Sequence, residues 1–163
     1  MAQLKPVIAT RIKKMDAALA KVEAAEQPDV IGFIEEYGAI KKEFNAGVTG
    51  ALTPDQLKLW ESFKAELEKD LVKSGAKKQL ADMQPALQVT DEQVGRLTPP
   101  MTTAIQKKVD VLQKLADGGR ISLRDKIKAK RAMGDINEEL EKAMGATLSP
   151  NQLAAYKAAT KKK

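Results

Sequence analysis

The chain of 163 residues is long enough for one domain or for two small ones that share a core. It has no cysteine and no histidine, which excludes disulfides, thiol nucleophiles, imidazole bases and metal sites with thiolate or imidazole ligands. The net charge is +6. Residues 1–80 contain 13 basic and 12 acidic residues, and residues 81–163 contain 15 basic and 10 acidic residues, so most of the basic excess lies in the second half. The good helix formers Ala, Lys, Glu, Leu and Gln dominate, which predicts an all-α fold.

Apolar residues in the first half recur at alternating spacings of four and three, which is typical of a helical seam. The first predicted helix carries Ile8, Ile12, Met15, Leu19 and Val22 and is interrupted at residues 26–29. The second carries Phe33, Tyr37, Ile40, Phe44 and Val48 and ends at the glycines of residues 47–50. The third begins at Thr53, places Leu57, Trp60, Leu67 and Leu71 on one side, and stops near Pro85.

The second half is predicted to open with a short helix after Thr90, followed by a new helix that starts at residues 98–100, Thr-Pro-Pro. That new helix carries Met101, Ile105, Val109 and Leu112. Asp117-Gly118-Gly119 is the clearest turn of the chain. Ser122 then caps a helix bearing Ile127, Met133, Ile136, Leu140 and Met144, and Ser149 begins the last helix.

A six-residue helix start is written almost identically twice, as Leu-Thr-Pro-Asp-Gln-Leu at residues 52–57 and Leu-Ser-Pro-Asn-Gln-Leu at residues 148–153. Thr53 is the predicted N-cap, and Pro54 follows where its missing N–H costs nothing. Gln56 lies three residues after Thr53, so the two can cap each other's backbone N–H groups. Leu52 can pack on the leucine that follows Gln56, as a hydrophobic staple.

The same device recurs in the second half. Leu148, Ser149, Pro150 and Gln152 repeat every role of the first copy. A third copy without the proline consists of Val89, Thr90 and Gln93. Three copies with matching staple residues indicate a shared origin, although any single one has the form of an ordinary capping box.

A longer repeat surrounds these motifs. A shift of 96 residues aligns Gly38 with Gly134, and also Ile40 with Ile136, Glu43 with Glu139 and Trp60 with Tyr156. Upstream the shift becomes 94 and aligns Pro6 with Pro100. The repeat predicts two similar three-helix units, residues 1–84 and 85–163, in an elongated antiparallel bundle or cradle with a pseudo-two-fold axis. Glycine in mid-helix at both Gly38 and Gly134 predicts a close helix approach or a kink.

The sequence offers little for catalysis. Its serines and threonines lack a histidine base, and its neighbouring acids, at residues 35–36, 91–92 and 138–141, are typical of solvated helix faces. Glycine loops for phosphate and calcium-loop patterns are absent as well. We therefore expect a protein that is not an enzyme and that uses no cofactor or metal. No apolar run approaches the length of a membrane span.

The most distinctive charged segment is residues 120–131, with six basic residues and one acid. We call its cations the basic stripe: Arg120, Arg124, Lys126, Lys128, Lys130 and Arg131. Arg124, Lys128 and Arg131 share one helix face, and the other two lysines flank it. The stripe is interpretable as a solubilising face, a nucleic-acid contact, or a surface that attracts unfolded or acidic polypeptide. The lysine pairs at 13–14 and 107–108 are interpreted as solvent-facing.

The three capping motifs resemble the LTxxQ motifs of the Spy/CpxP family. Residues 86–158 match best, with one motif near each end of a long helical hairpin, whereas the first unit has Leu4-Lys5-Pro6 in place of an initial motif. The resemblance implies an ATP-independent periplasmic chaperone of the envelope stress response, whose thin helical fold presents a basic, partly apolar concave surface to unfolded clients. Arg120, Arg124, Lys128 and Arg131 would then attract clients, with one chain supplying both halves of the cradle or two chains forming a homodimer.

The sequence leaves other functions open. One is a helical scaffold or adaptor that binds a single folded partner. Another, ranked third because charge alone supports it, is non-specific nucleic-acid binding through the basic stripe. The compartment is open too. Residues 1–4 show no apolar signal run, which suits either a cytoplasmic protein or a mature exported protein given a new starting methionine.

Overall fold

The computed structural model describes residues 3–26 and 29–161, and within them every regular element is a helix. The six helices are α1 Leu4–Glu23, α2 Val30–Ala51, α3 Pro54–Leu87, α4 Asp91–Asp117, α5 Leu123–Gly145 and α6 Pro150–Lys161. The predicted all-α class is confirmed. The predicted interruption at residues 26–29 falls between α1 and α2, although its residues 27 and 28, like residues 1, 2, 162 and 163, lie outside the described part of the chain.

The described residues form two compact units. Unit 1 draws on residues 1–65 and 110–130, and unit 2 on residues 66–109 and 131–163. Each unit therefore combines a segment from the first half of the chain with one from the second. The division at residues 84 and 85 and the pseudo-two-fold cradle stay predictions that follow from the sequence repeat.

In unit 1, α1 packs against α2 through a face that differs from the predicted seam. Ala18 is buried, and the Arg11 guanidinium lies 4.4 Å from the centre of the Phe44 ring. A Cβ at Gly47 would lie 2.8 Å from Val7 Cγ1, so the two helices approach closely there. Small contact residues let the backbones come together, and this turns the predicted seam residues Ile8, Ile12 and Leu19 toward solvent.

The end of α4 and the turn after it pack on α2. Ile34, Ala116 and Ile121 form a buried cluster there. A Cβ at Gly38 would lie 2.1 Å from the Ala116 carbonyl oxygen, so this position admits no larger residue without a shift. The predicted close approach thus exists at Gly38. At Gly134 the close approach is wrong, because the residue is exposed and an added Cβ would meet no neighbouring atom within 4 Å, while the alternative of a kink stays a prediction.

Unit 2 is centred on large apolar side chains that are almost inaccessible to water, namely Leu80, Leu97, Met101 and Met144. The predicted helix start at residues 98–100 is wrong, because α4 runs unbroken through Pro99 and Pro100. The Thr98 hydroxyl donates to the Val94 carbonyl oxygen at 2.7 Å and does not cap a new helix. Two prolines remove two hydrogen bonds of the helix, and burial of Leu97 and Met101 on either side of them outweighs that loss.

Candidate functional site

All three capping motifs form reciprocal hydrogen bonds at helix starts. The Thr53 N–H donates to Gln56 Oε1 at 3.0 Å, and the Gln56 N–H donates to Thr53 Oγ1 at 3.4 Å. The corresponding distances are 3.0 and 3.2 Å for Thr90 and Gln93, and 2.9 and 3.3 Å for Ser149 and Gln152. Pro54 and Pro150 are the first residues of α3 and α6. Each motif thus satisfies N–H groups that a helix start leaves without partners.

In unit 2 the two motifs also bind each other. Gln93 Nε2 donates to Gln152 Oε1 at 3.0 Å and to the Thr147 carbonyl oxygen at 3.1 Å. Gln152 Nε2 donates to Gln93 Oε1 at 3.3 Å and to the Gln88 carbonyl oxygen at 3.2 Å. We call this arrangement the glutamine clasp, and it joins the start of α4 to the start of α6.

Sequence reasoning did not foresee the glutamine clasp, although a signal for it was present. A capping box accepts glutamate or glutamine at its last position, and this chain has glutamine each time. A carboxylate oxygen can only accept, whereas a neutral amide accepts through oxygen and donates through nitrogen. The amide therefore has a second function available after capping its own helix. The clasp contains no ionisable group, so its role is to position helices.

The basic stripe begins at a fourth helix cap, in unit 1. The Asp125 N–H donates to Ser122 Oγ at 3.2 Å, and Ser122 Oγ donates to Asp125 Oδ2 at 2.5 Å. These side-chain and backbone hydrogen bonds from Ser122 lower the pKa of Asp125 below its usual range. The acid of the segment is therefore engaged at the helix cap, while the neighbouring cations extend from α5.

Every cation of the basic stripe is exposed: Arg120, Arg124, Lys126, Lys128, Lys130 and Arg131. In the part of the chain that the structure describes, none of the six takes part in an ion pair. Clustered charge of one sign raises the local concentration of anionic groups near this surface. Such a surface is suited to an anionic partner of low shape specificity.

Large apolar side chains are exposed on five helices, and three of these helices carry more than one. On α1 they are Ile8, Ile12 and Leu19, and on α5 they are Leu123 and Ile127. On α3 they recur every fourth residue, at Leu59, Phe63, Leu67 and Leu71. The sequence predicts Leu57, Trp60, Leu67 and Leu71 on one side of this helix. In the structure Leu57 and Trp60 are half-buried, whereas Leu67 and Leu71 face solvent. Contiguous apolar exposure of this kind is typical of a binding surface.

The predicted solvent-facing lysine pairs have structural partners. Lys14 pairs with Glu43 between α1 and α2, and Lys107 pairs with Glu139 between α4 and α5. Lys108 is half-buried, and burial lowers its pKa. The predicted exposure is therefore confirmed for Lys13, Lys14 and Lys107, two of which also form ion pairs, and it is wrong for Lys108.

The two ion pairs lie at equivalent places, which refines the repeat. The glutamates, Glu43 and Glu139, are 96 residues apart, as in the sequence alignment. The lysines, Lys14 and Lys107, are 93 residues apart, one fewer than the shift of 94 that aligns the sequences in this region. Each pair borders a groove between two helices, of about 260 Å³ in unit 1 and about 300 Å³ in unit 2. Thr10 and Thr103 line these grooves at the same 93-residue shift. One ion pair and one groove of each unit thus lie at positions that the sequence repeat nearly aligns.

The neighbouring acids also have structural roles. Glu35 accepts the Ile121 N–H at 2.7 Å, Glu36 pairs with Lys21 at 2.7 Å, and Glu92 pairs with Arg96 at 2.7 Å. Among residues 3–26 and 29–161, no three acids are grouped so as to hold a metal ion, and no helix is long and apolar enough to cross a bilayer. No protein-family model, curated protein or solved structure matches this chain.

Proposed function

We propose that the protein is an ATP-independent chaperone of the Spy/CpxP type that binds unfolded or aggregation-prone polypeptides in the periplasm. Two observations carry this proposal: large apolar side chains are exposed, and the basic stripe forms no ion pair among the described residues. Leu59, Phe63, Leu67 and Leu71 supply apolar contact along α3. The basic stripe supplies long-range attraction, which accelerates the encounter with a client.

The binding needs no nucleotide, because each contact is weak and reversible. A client segment covers exposed leucines while it is bound, which removes apolar area from water at roughly 25 cal/mol per Å². Arg120, Arg124, Lys128 and Arg131 hold acidic client segments near by without a fixed geometry, since long cationic side chains are flexible and solvated. The capping motifs have a structural part in this proposal, in that they hold helix ends in place.

A turbidity assay tests the chaperone. The protein is mixed with an aggregating model substrate in the absence of ATP, and near-stoichiometric amounts are expected to suppress light scattering. Arg124→Glu with Lys128→Glu is expected to weaken suppression several-fold. Lys69→Glu with Lys73→Glu, the same charge change at two exposed positions of α3, is the matched control. Absence of suppression by the unmodified protein, or equal loss in both double variants, contradicts the proposal.

The main alternative is a scaffold or adaptor that binds one folded partner. The regular four-residue spacing of exposed apolar residues on α3 favours it, because such a row fits a partner helix. An adaptor is expected to leave aggregation unchanged and to lose its partner on Phe63→Ser. Binding of random-sequence nucleic acid with a steep dependence on salt would instead favour the third function, through the basic stripe.

The oligomeric state belongs to the same proposal. The internal repeat lets one chain supply both halves of a pseudo-two-fold cradle that would otherwise need two chains. Light scattering is expected to give the mass of a monomer, 17.7 kDa. An obligate dimer at low concentration contradicts the single-chain cradle without contradicting chaperone activity.

A further inference from the structure

The outer face of the first turns of α5 pairs aliphatic side chains with cations in a particular order. Leu123 is 74% exposed and Ile127 is 61% exposed. At 100° per residue they lie within about 40° of each other on the helix. The same geometry places Lys126 and Lys130 on one side of this pair, and Arg124 and Lys128 on the other. The face is therefore an aliphatic centre flanked by two cations on each side, of which Lys128 lies farthest round the helix, about 100° from Ile127.

The rest of this segment leaves the face free of negative charge. Asp125 is on the opposite side of the helix, where it is engaged with Ser122. Half-buried Ala129 lies on the same side of α5 as Asp125, which is therefore the side that faces the protein interior. In the described part of the chain, no carboxylate forms an ion pair with the four edge cations. The face is complementary to an anionic surface that also has an apolar layer.

We propose that this face of α5 docks unit 1 onto the surface of an anionic phospholipid bilayer. Leu123 and Ile127 enter the boundary between head groups and acyl chains, while the lysines and arginine along both edges contact the phosphates. Long cationic side chains can bury their methylene stems beside the aliphatic pair and keep their charges at head-group level. This role goes beyond the proposed chaperone activity, and neither depends on the other.

A bilayer fits this face better than a peptide does. A helical peptide is bound in a groove whose walls cover its apolar side, whereas Leu123 and Ile127 project from the exposed side of a single helix. Cations on both edges of the pair match head groups that surround an inserted side chain on every side. Nucleic acid would use the cations and would leave the aliphatic pair without a partner.

Flotation with lipid vesicles tests the proposal on the full chain. Vesicles of phosphatidylglycerol and phosphatidylcholine in equal parts are expected to carry the protein, and vesicles of phosphatidylcholine alone are not. Lys126→Gln with Lys130→Gln is expected to lower binding by about 25-fold, at about fivefold per cation. Leu123→Ser with Ile127→Ser is expected to lower it by at least about tenfold.

The matched control for the aliphatic pair is Leu59→Ser, since Leu59 on α3 is 73% exposed and lies outside this face. It should leave vesicle binding unchanged. Circular dichroism shows whether each variant keeps its helices, as expected for exposed positions. Equal binding to both vesicle types, absence of binding, or binding that survives Leu123→Ser with Ile127→Ser overturns the proposal. Loss of vesicle binding with unchanged turbidity suppression, measured without lipid, separates this role from the chaperone.

Discussion

Equivalent positions of the repeat have opposite environments in the two units. Ile8 of unit 1 is 39% exposed, whereas Met101, which lies 93 residues later in unit 2, is inaccessible to water. Both belong to a helix that is tied to its neighbour by a Lys–Glu pair. In unit 2 the second half of α3 adds Val72, Ala76 and Leu80 to the core. The repeated sequence thus specifies contacts inside a helix pair, and what covers the pair differs between units.

The largest expected difference between the units comes from truncating these two side chains. Met101→Ala leaves a cavity in a closely packed core and is expected to cost about 2–5 kcal/mol in the free energy of unfolding. Ile8→Ala removes a side chain that is already partly in water, and is expected to cost less than about 1 kcal/mol. Urea titration followed by circular dichroism measures both. Equal losses would show that α1 is covered in solution as α4 is.

The paired glycines give an expected difference of sign. Gly38→Ala places a methyl group against the Ala116 carbonyl oxygen, which must shift, at an expected cost of about 1–3 kcal/mol or more. Gly134→Ala meets no neighbour and removes a flexible residue from mid-helix, so it is expected to stabilise by up to about 1 kcal/mol. Thermal unfolding of the two variants should move the melting temperature in opposite directions. A shift of the same sign in both contradicts the difference seen at these positions.

The glutamine clasp separates two otherwise similar capping boxes. Gln56→Glu keeps an acceptor for the Thr53 N–H and adds negative charge near a helix start, so stability is expected to change by less than about 0.5 kcal/mol. Gln152→Glu keeps the cap of Ser149 but cannot donate to the Gln88 carbonyl oxygen. It is expected to cost about 0.5–1.5 kcal/mol, the net contribution of a typical hydrogen bond, because the carbonyl oxygen of exposed Gln88 loses its donor. Urea unfolding compares the two, with Gln152→Leu as a variant lacking both functions. If Gln56→Glu and Gln152→Glu change the free energy of unfolding equally, the glutamine clasp does not contribute to stability.

Features that depend on neighbours in sequence were predictable, and those that depend on distant packing were not. The caps at Thr53, Thr90 and Ser149 follow from residues within one helical turn, and the structure contains all three. The inward face of α1 was not predictable, because Gly47 and Phe44 of another helix decide it. The continuity of α4 past Pro99 depends in the same way on burial that the local sequence does not reveal.

The candidate site likewise has features that follow from the local sequence and features that depend on distant packing. The exposure of the basic stripe agrees with its local composition, since adjacent cations avoid burial. The glutamine clasp needs two motifs 59 residues apart to meet, and spacing alone does not predict that meeting. The exposed aliphatic pair on α5 was concealed for a related reason. The sequence groups Ile127 with the other apolar residues of its helix, and only the burial of Ile136 and the half-burial of Ala129 show which side faces inward.

The smallest expected effect comes from the two equivalent ion pairs, and it tests how far the units agree. Both pairs are partly exposed, so Lys14→Met and Lys107→Met should each cost less than about 1 kcal/mol in the free energy of unfolding. The loss should be smaller at Lys14, because Arg11 lines the same groove and remains near Glu43, whereas Ala104 stands at that position in unit 2. Double-mutant cycles with Glu43→Gln and Glu139→Gln, at low and high salt, measure the two couplings. A larger coupling at Lys14 than at Lys107 would mean that Arg11 is committed to the Phe44 ring and contributes nothing to Glu43.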